Sequence, residues 1–390
     1  MSTGPGRRIP LPALAAGAVT AGSLLGVGAS SVGAAAIFAR KVLTPDRRRP
    51  DDEVVVGVGR DEVLLARTEQ SVVPGRFGLW LDGGAGHARI AEVLDIDAGL
   101  VRRRVEAVDA GVLEAGPVRW NTYYYWAPPE VSLGVATEHV TFESAVGRLG
   151  AWVVLPEGGA GETWAVLVHG RGARREETIR AIPTLRTLGI TALVPHYRND
   201  DGAPAGPGGR YTLGVGEWHD IEAAIRYAAG RGAERIVLVG WSMGGAIVLQ
   251  LLARSELAGL VERVVLDAPV ISWADVLSHH ARLNHVPAPI GSLGQAMMSR
   301  AWSRRLVGVE DVIDLASTDW VRRAQELTHP VLLIHSDDDE FVPAGPSRAL
   351  AAARPDLVEL VTWQDALHCQ EWNTDPARWE AVVRTFIGVG

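Results

Sequence analysis

From about residue 138 to the C-terminus, short unbroken apolar runs alternate with stretches that are apolar on one side only. The runs read as strands are Trp152 to Leu155, Trp164 to Val168, Thr191 to Val194, Ile236 to Val239, Val264 to Leu266, Val331 to Ile334 and Val358 to Val361. Between them, Arg175 to Leu188, Glu217 to Ala229 and Ala246 to Leu252 read as helices. A strand that is apolar on both faces has to be covered on both, so this order predicts a mostly parallel α/β sheet with helices on each side. Such sheets carry their chemistry at the carboxyl ends of the strands.

Residues 54 to about 118 have a different texture. Val54 to Val56, Val63 to Ala66, Phe77 to Leu81 and Val101 to Ala107 read as short β-segments, separated by turn residues at Pro74-Gly75, Gly83-Gly84 and Asp97 to Gly99. The region 54–137 is therefore expected to be a small β-rich accessory domain, followed by an α/β domain over 138–390. Gly83 to Gly86 lacks the strand and helix of a phosphate loop and reads as a hairpin turn. The aromatic stretch Trp120 to Trp126 reads as packing surface between the domains, with a carbohydrate-stacking platform as the alternative.

Residues 1–53 read as an apolar segment and a charged linker. Residues 11–39 carry no charge and are flanked by Arg7, Arg8, Arg40 and Lys41. The length fits a membrane anchor, and the excess of Lys and Arg downstream would keep the soluble part in the cytoplasm. A cleaved signal peptide, with export, and a flexible Ala/Gly arm are the other readings. The formal charge of −8 and pI near 5.8 supply no basic field for nucleic acid. With one cysteine, Cys369, no intramolecular disulfide can form.

The chemistry centres on Gly240-Trp241-Ser242-Met243-Gly244, placed between a strand run and a helix run. Small residues two before and two after the serine leave room for a tight turn that lifts its Oγ clear of the backbone. A serine hydroxyl needs a base, and the base needs an orienting carboxylate. Asp339, three residues before Val342-Pro343, is the expected orienter with Asp337 in reserve, and His368, just past the last strand, is the expected base. The strand Trp164 to Val168 runs into His169-Gly170-Arg171-Gly172, where the backbone N–H near Arg171 could join that of Met243 in holding an oxyanion. Gly170, Trp241, Tyr197 and Arg198 are the expected substrate-binding residues. Arg198 would either bind an acidic substrate group or pair with Asp200. His169 reads as structural and Cys369 as a small buried residue. His279, His280 and His285 lack i, i+4 spacing and accompanying carboxylates, so no metal is expected.

On these residues, His169 to Gly172, Gly240 to Gly244, Asp339 and His368 in that order, the chain resembles the α/β-hydrolase superfamily over residues 138–390, in its serine-nucleophile, esterase- and peptidase-like branch. The resemblance implies hydrolysis of an ester, thioester or amide of a small-molecule or peptide acyl substrate through an acyl-serine, with no cofactor. It also implies a helical lid at about 271–328. A serine peptidase or acyltransferase would use the same residues, and a membrane-tethered binding protein with a vestigial triad is the non-enzymatic alternative.

Overall fold

The computed structural model describes residues 31–45 and 50–388. Six antiparallel strands come first: β1 (Glu53–Val58), β2 (Glu62–Ala66), β3 (Phe77–Leu81), β4 (Gly86–Ile96), β5 (Leu100–Ala110) and β6 (Gly116–Asn121). They close into a barrel in the order β1-β2-β5-β4-β3-β6, with β1 pairing to β6. Alternate residues point inward, so Val55, Val63, Leu65, Phe77, Leu79, Ile90 and Val118 share one core. Arg103 is fully buried in it, and its guanidinium donates to the carbonyls of Ser71, Val73, Gly75 and Ala91. Burial pushes this group down to about 10, and the four carbonyls tie the loop 71–75 to the barrel.

The second sheet has eight strands: β7 (Thr137–Ser144), β8 (Gly147–Val154), β9 (Thr163–Val168), β10 (Thr191–Pro195), β11 (Arg235–Trp241), β12 (Val261–Asp267), β13 (Val331–Ser336) and β14 (Val358–Trp363). Their order is β14-β13-β12-β11-β9-β10-β8-β7. β9 to β14 run parallel, and only β7 and β8 are antiparallel additions at one edge. Alternation along the strands feeds two cores. Val166, Val168 and Leu238 enter one, while Ala165, Leu167, Val237 and Val239 enter the other.

The helices are α1 (residues 31–43), α2 (Pro129–Ser132), α3 (Ile182–Thr187), α4 (Trp218–Gly230), α5 (Met243–Arg254), α6 (Trp273–Leu283), α7 (Ala288–Met298), α8 (Arg304–Val307), α9 (Gly345–Ala353), α10 (Glu371–Thr374) and α11 (Pro376–Gly388). The helix expected over Arg175 to Leu188 is split. Arg175–Ala181 is a 3-10 segment, and α3 begins with Pro183 near its N-terminus, where the missing N–H costs nothing.

The membrane-anchor expectation, and the localisation built on it, is corrected. No helix among the described residues is long and apolar enough to cross a membrane. The described end of the 11–39 stretch belongs to α1, which buries Ala35, Ala39 and Leu43 in the core of the second sheet. It crosses α7 closely at Gly294, where an added Cβ would come within 3.2 Å of the Ala35 carbonyl oxygen and of the Phe38 ring. Residues 11–30 lie outside the described residues.

Candidate active site

Ser242 joins β11 to α5 with φ 51° and ψ −117°, a conformation that a non-glycine residue adopts only when its surroundings force it. Two glycines make the bend possible by their small size. A Cβ on Gly240 would stand 2.8 Å from the Gly244 carbonyl group, and one on Gly244 would fall on the Val168 carbonyl oxygen. The bend is pinned to its neighbours, because Ser242 N–H donates to Asp267 O at 3.1 Å and Val270 N–H donates to Ser242 O at 3.1 Å.

His368 follows β14, and its Nε2 lies 2.9 Å from Ser242 Oγ. Its Nδ1 lies 2.7 Å from Asp339 Oδ2. The other carboxylate oxygen, Oδ1, accepts the N–H groups of Phe341 at 2.9 Å and Val342 at 2.8 Å. Burial opposes ionisation of Asp339, but the His368 charge and hydrogen bonds from His335 and His368 outweigh it and hold the carboxyl far below the usual range. Burial likewise opposes a charge on His368, and the Asp339 carboxylate reverses this, raising the imidazole above the ordinary histidine value. Asp337, the reserve acid, pairs with Arg348 at the surface instead. Burial drives the Cys369 thiol well above its ordinary value, so it stays protonated although its Sγ lies 3.6 Å from His368 Nε2.

The loop after β9 is held residue by residue. Gly170 N–H donates to Glu177 Oε2 at 2.8 Å, Gly172 N–H to Tyr211 Oη at 3.0 Å, and Arg174 N–H to Tyr123 Oη of the aromatic segment after the barrel at 2.9 Å. The Arg171 side chain turns away from the serine to the end of α1. Its guanidinium donates to the carbonyls of Val42 at 2.8 Å and Thr44 at 2.9 Å, as a cation does at a helix C-terminus.

Three residues expected to bind substrate are placed elsewhere. Tyr197 is fully buried and donates its hydroxyl to Gly170 O at 2.8 Å, so it supports the loop from behind. Arg198 does not pair with Asp200. It forms a buried two-pronged pair with Asp220 of α4, Nε to Oδ2 at 2.7 Å and Nη2 to Oδ1 at 2.9 Å. Trp241, also fully buried, stacks on Trp379 with ring centroids 6.4 Å apart. His169 is held at 2.9 Å from Asp200 and stacks on Tyr197.

A cavity of about 380 Å³ opens over Ser242, Gly170 and His368. Its far wall comes from the barrel and the segment that leaves it, through Gln70, Trp120 and Tyr123. Asn373 clasps the two parts together by donating to Arg76 O at 2.6 Å and Thr122 O at 2.9 Å, while Tyr124 and Tyr125 pack on Trp372. This bears on the aromatic stretch, which meets the α/β part and lines the cavity. The sequence reading missed Glu177, Gln70 and Gln370 in the cavity wall. Glu177 sits in a charged run that reads as a solvated helix face, and no local pattern marks the other two.

A family profile described as "Alpha/beta hydrolase family" matches residues 165–390, and one described as "Domain of unknown function (DUF8805)" matches residues 54–121. A search of curated proteins found no match. Among solved structures, an esterase of Pyrococcus furiosus is similar, with 18% identity, TM-score 0.51, 67% of this chain covered and 94% of that one. An acylaminoacyl peptidase of Pyrococcus horikoshii is similar over 86% of this chain and 55% of its own, with 16% identity and TM-score 0.50. At these identities the likeness carries the fold, while the profile spans more than half of the chain. The chain belongs to the alpha/beta hydrolase family.

Proposed function

We propose that the protein is a serine hydrolase that cleaves a carboxylic ester, thioester or amide through an acyl-serine. Ser242 Oγ attacks the carbonyl carbon as His368 Nε2 takes its proton, and Asp339 fixes the imidazole with its other proton on Nδ1. The N–H groups of Arg171 and Met243 receive the oxyanion; Met243 opens α5, so the helix terminus adds its dipole there. Collapse expels the leaving group with the proton from Nε2. Water, deprotonated by the same nitrogen, then releases the acid and restores the serine.

The observation that carries this reading is the run of short contacts from Ser242 Oγ through His368 to Asp339, at 2.9 Å and 2.7 Å. We also divide the chain into an accessory domain over 54–137 and a hydrolase domain from 138, with α6 to α8 inside 271–328 as its lid. In support, His279 of α6 reaches the Glu340 carbonyl and His280 packs edge-on against Phe341, which itself meets the His368 ring. A panel of short-chain esters and amides tests the function. Ser242→Ala should lower turnover on the order of 10⁶-fold, and a variant that keeps wild-type turnover would refute the assignment.

A further inference from the structure

The cavity over Ser242 has apolar walls from Phe341 and Leu367, and among them stand the carboxylates Asp52, Glu69, Glu177 and Glu340. Glu177 is 7% exposed and lines the cavity, with its Oε2 receiving the Gly170 N–H. Gln370 is 3% exposed, and its Nε2 donates to Gln70 Oε1 at 2.9 Å. The remaining amide oxygen of Gln370 is buried with no hydrogen-bond partner. Asp52 and Glu69 on the barrel side and Glu340 on the opposite side add carboxylates at the rim. The arginine of this lining, Arg171, spends its guanidinium on the carbonyls of α1. Burying an acceptor without a donor costs free energy that a bound donor restores.

We propose that this cavity binds a primary ammonium group carried next to the scissile carbonyl, so that the substrates are aminoacyl esters or amides with a free amine. The inference rests on the serine hydrolase reading above. Position sets the distance between amine and carbonyl. A Cβ built on Gly170 would lie 3.2 Å from Ser242 Cβ and 3.4 Å from Glu177 Oε2, so the serine side chain and the carboxylate both border one point of the cavity wall. An ammonium offers three donors, enough for Glu177 and the orphan oxygen of Gln370, and the ring of Tyr123 in the same wall suits a cation, whereas that of Trp120 already faces Arg103. A carboxylate or phosphate in that place would face Glu177, and a plain acyl chain would leave Gln370 Oε1 unmet.

The test is the rate at which a fluorophosphonate labels Ser242 in the full chain, in the presence of alaninamide or of propionamide, which differ by the amine alone. Alaninamide should protect at concentrations about tenfold lower than propionamide, the difference expected of one charge-assisted hydrogen bond. Glu177→Gln should bring the two together. If that variant fails to fold, Gln370→Met supplies the same comparison. Equal protection by both amides in the wild type, or undiminished discrimination in the folded variants, would overturn the inference while leaving the serine reading intact. A wild-type chain that is not labelled at Ser242 overturns the serine reading and this inference with it.

Discussion

Replacing Asp339 by Asn probes the site with the smallest change of shape. Oδ1 of Asp339 receives two backbone donors, from Phe341 and Val342, and Oδ2 faces His368 Nδ1 at 2.7 Å. An amide has one oxygen, and the two backbone N–H groups claim it. The NH₂ is then forced to face His368, which must present an unprotonated Nδ1 to it. The ring proton moves to Nε2, where it points at Ser242 Oγ and blocks uptake of the serine proton. The backbone bonds survive, but the NH₂ also replaces the oxygen that buried His335 Nε2 meets at 3.3 Å, so the melting temperature should fall modestly, while kcat falls about 10⁴-fold with KM nearly constant, as for the equivalent change in other serine triads. Steady-state kinetics on a short-chain ester, with a thermal melt of the same sample, measures both. A folded Asp339→Asn enzyme within tenfold of wild-type kcat would refute the role of Asp339 as orienter.

Because the base must be neutral and the Asp339 carboxylate holds the imidazole above its ordinary value of 6.5, the acid limb of a kcat/KM pH profile should have its midpoint above 6.5; a midpoint below it would contradict the His368–Asp339 coupling. Gly244→Ala puts a Cβ onto the Val168 carbonyl oxygen, so it should destabilise by more than about 3 kcal/mol in urea unfolding or fail to fold. Buried Glu371 accepts the Ser336 N–H, and burial, then Asp267, raises its carboxyl well above the ordinary value. Its Oε2 and Asp267 Oδ1 lack donors unless a proton sits between them. A raised pKa gives stability that is complete below pH 4.5 and is lost as pH climbs through the folded value. Glu371→Gln should therefore flatten the fall of melting temperature on the alkaline side, and an unchanged slope would sink that account.

The parallel strands were legible because β9 to β13 are apolar on both faces, a pattern few other structures need. The convergence of Ser242, Asp339 and His368 was legible because each follows a strand end, where the topology gathers side chains. Proximity to a strand end did not reveal orientation, however. Tyr197 and Arg198 follow β10, yet Arg198 turns to Asp220 on α4, a partner that no local spacing announces. The barrel's closure was hidden by its long strands β4 and β5, whose pairing shifts register between Arg89 and Asp95 and so breaks simple alternation. The Ala-rich stretch before Arg40 has the composition of a lipid-facing helix, but its described end uses small residues for close approach to Gly294. The cavity wall was invisible for a plainer reason, since Gln70 meets Gln370 across 300 residues of chain.

The central claim is that Ser242 is a reactive alcohol made so by His368. Peptide mass spectrometry after treatment with a fluorophosphonate measures it directly, in the wild type and in His368→Ala. The account predicts one adduct per chain, on Ser242, and almost none in the variant. Adducts absent from Ser242, or present at the same rate without His368, would contradict it.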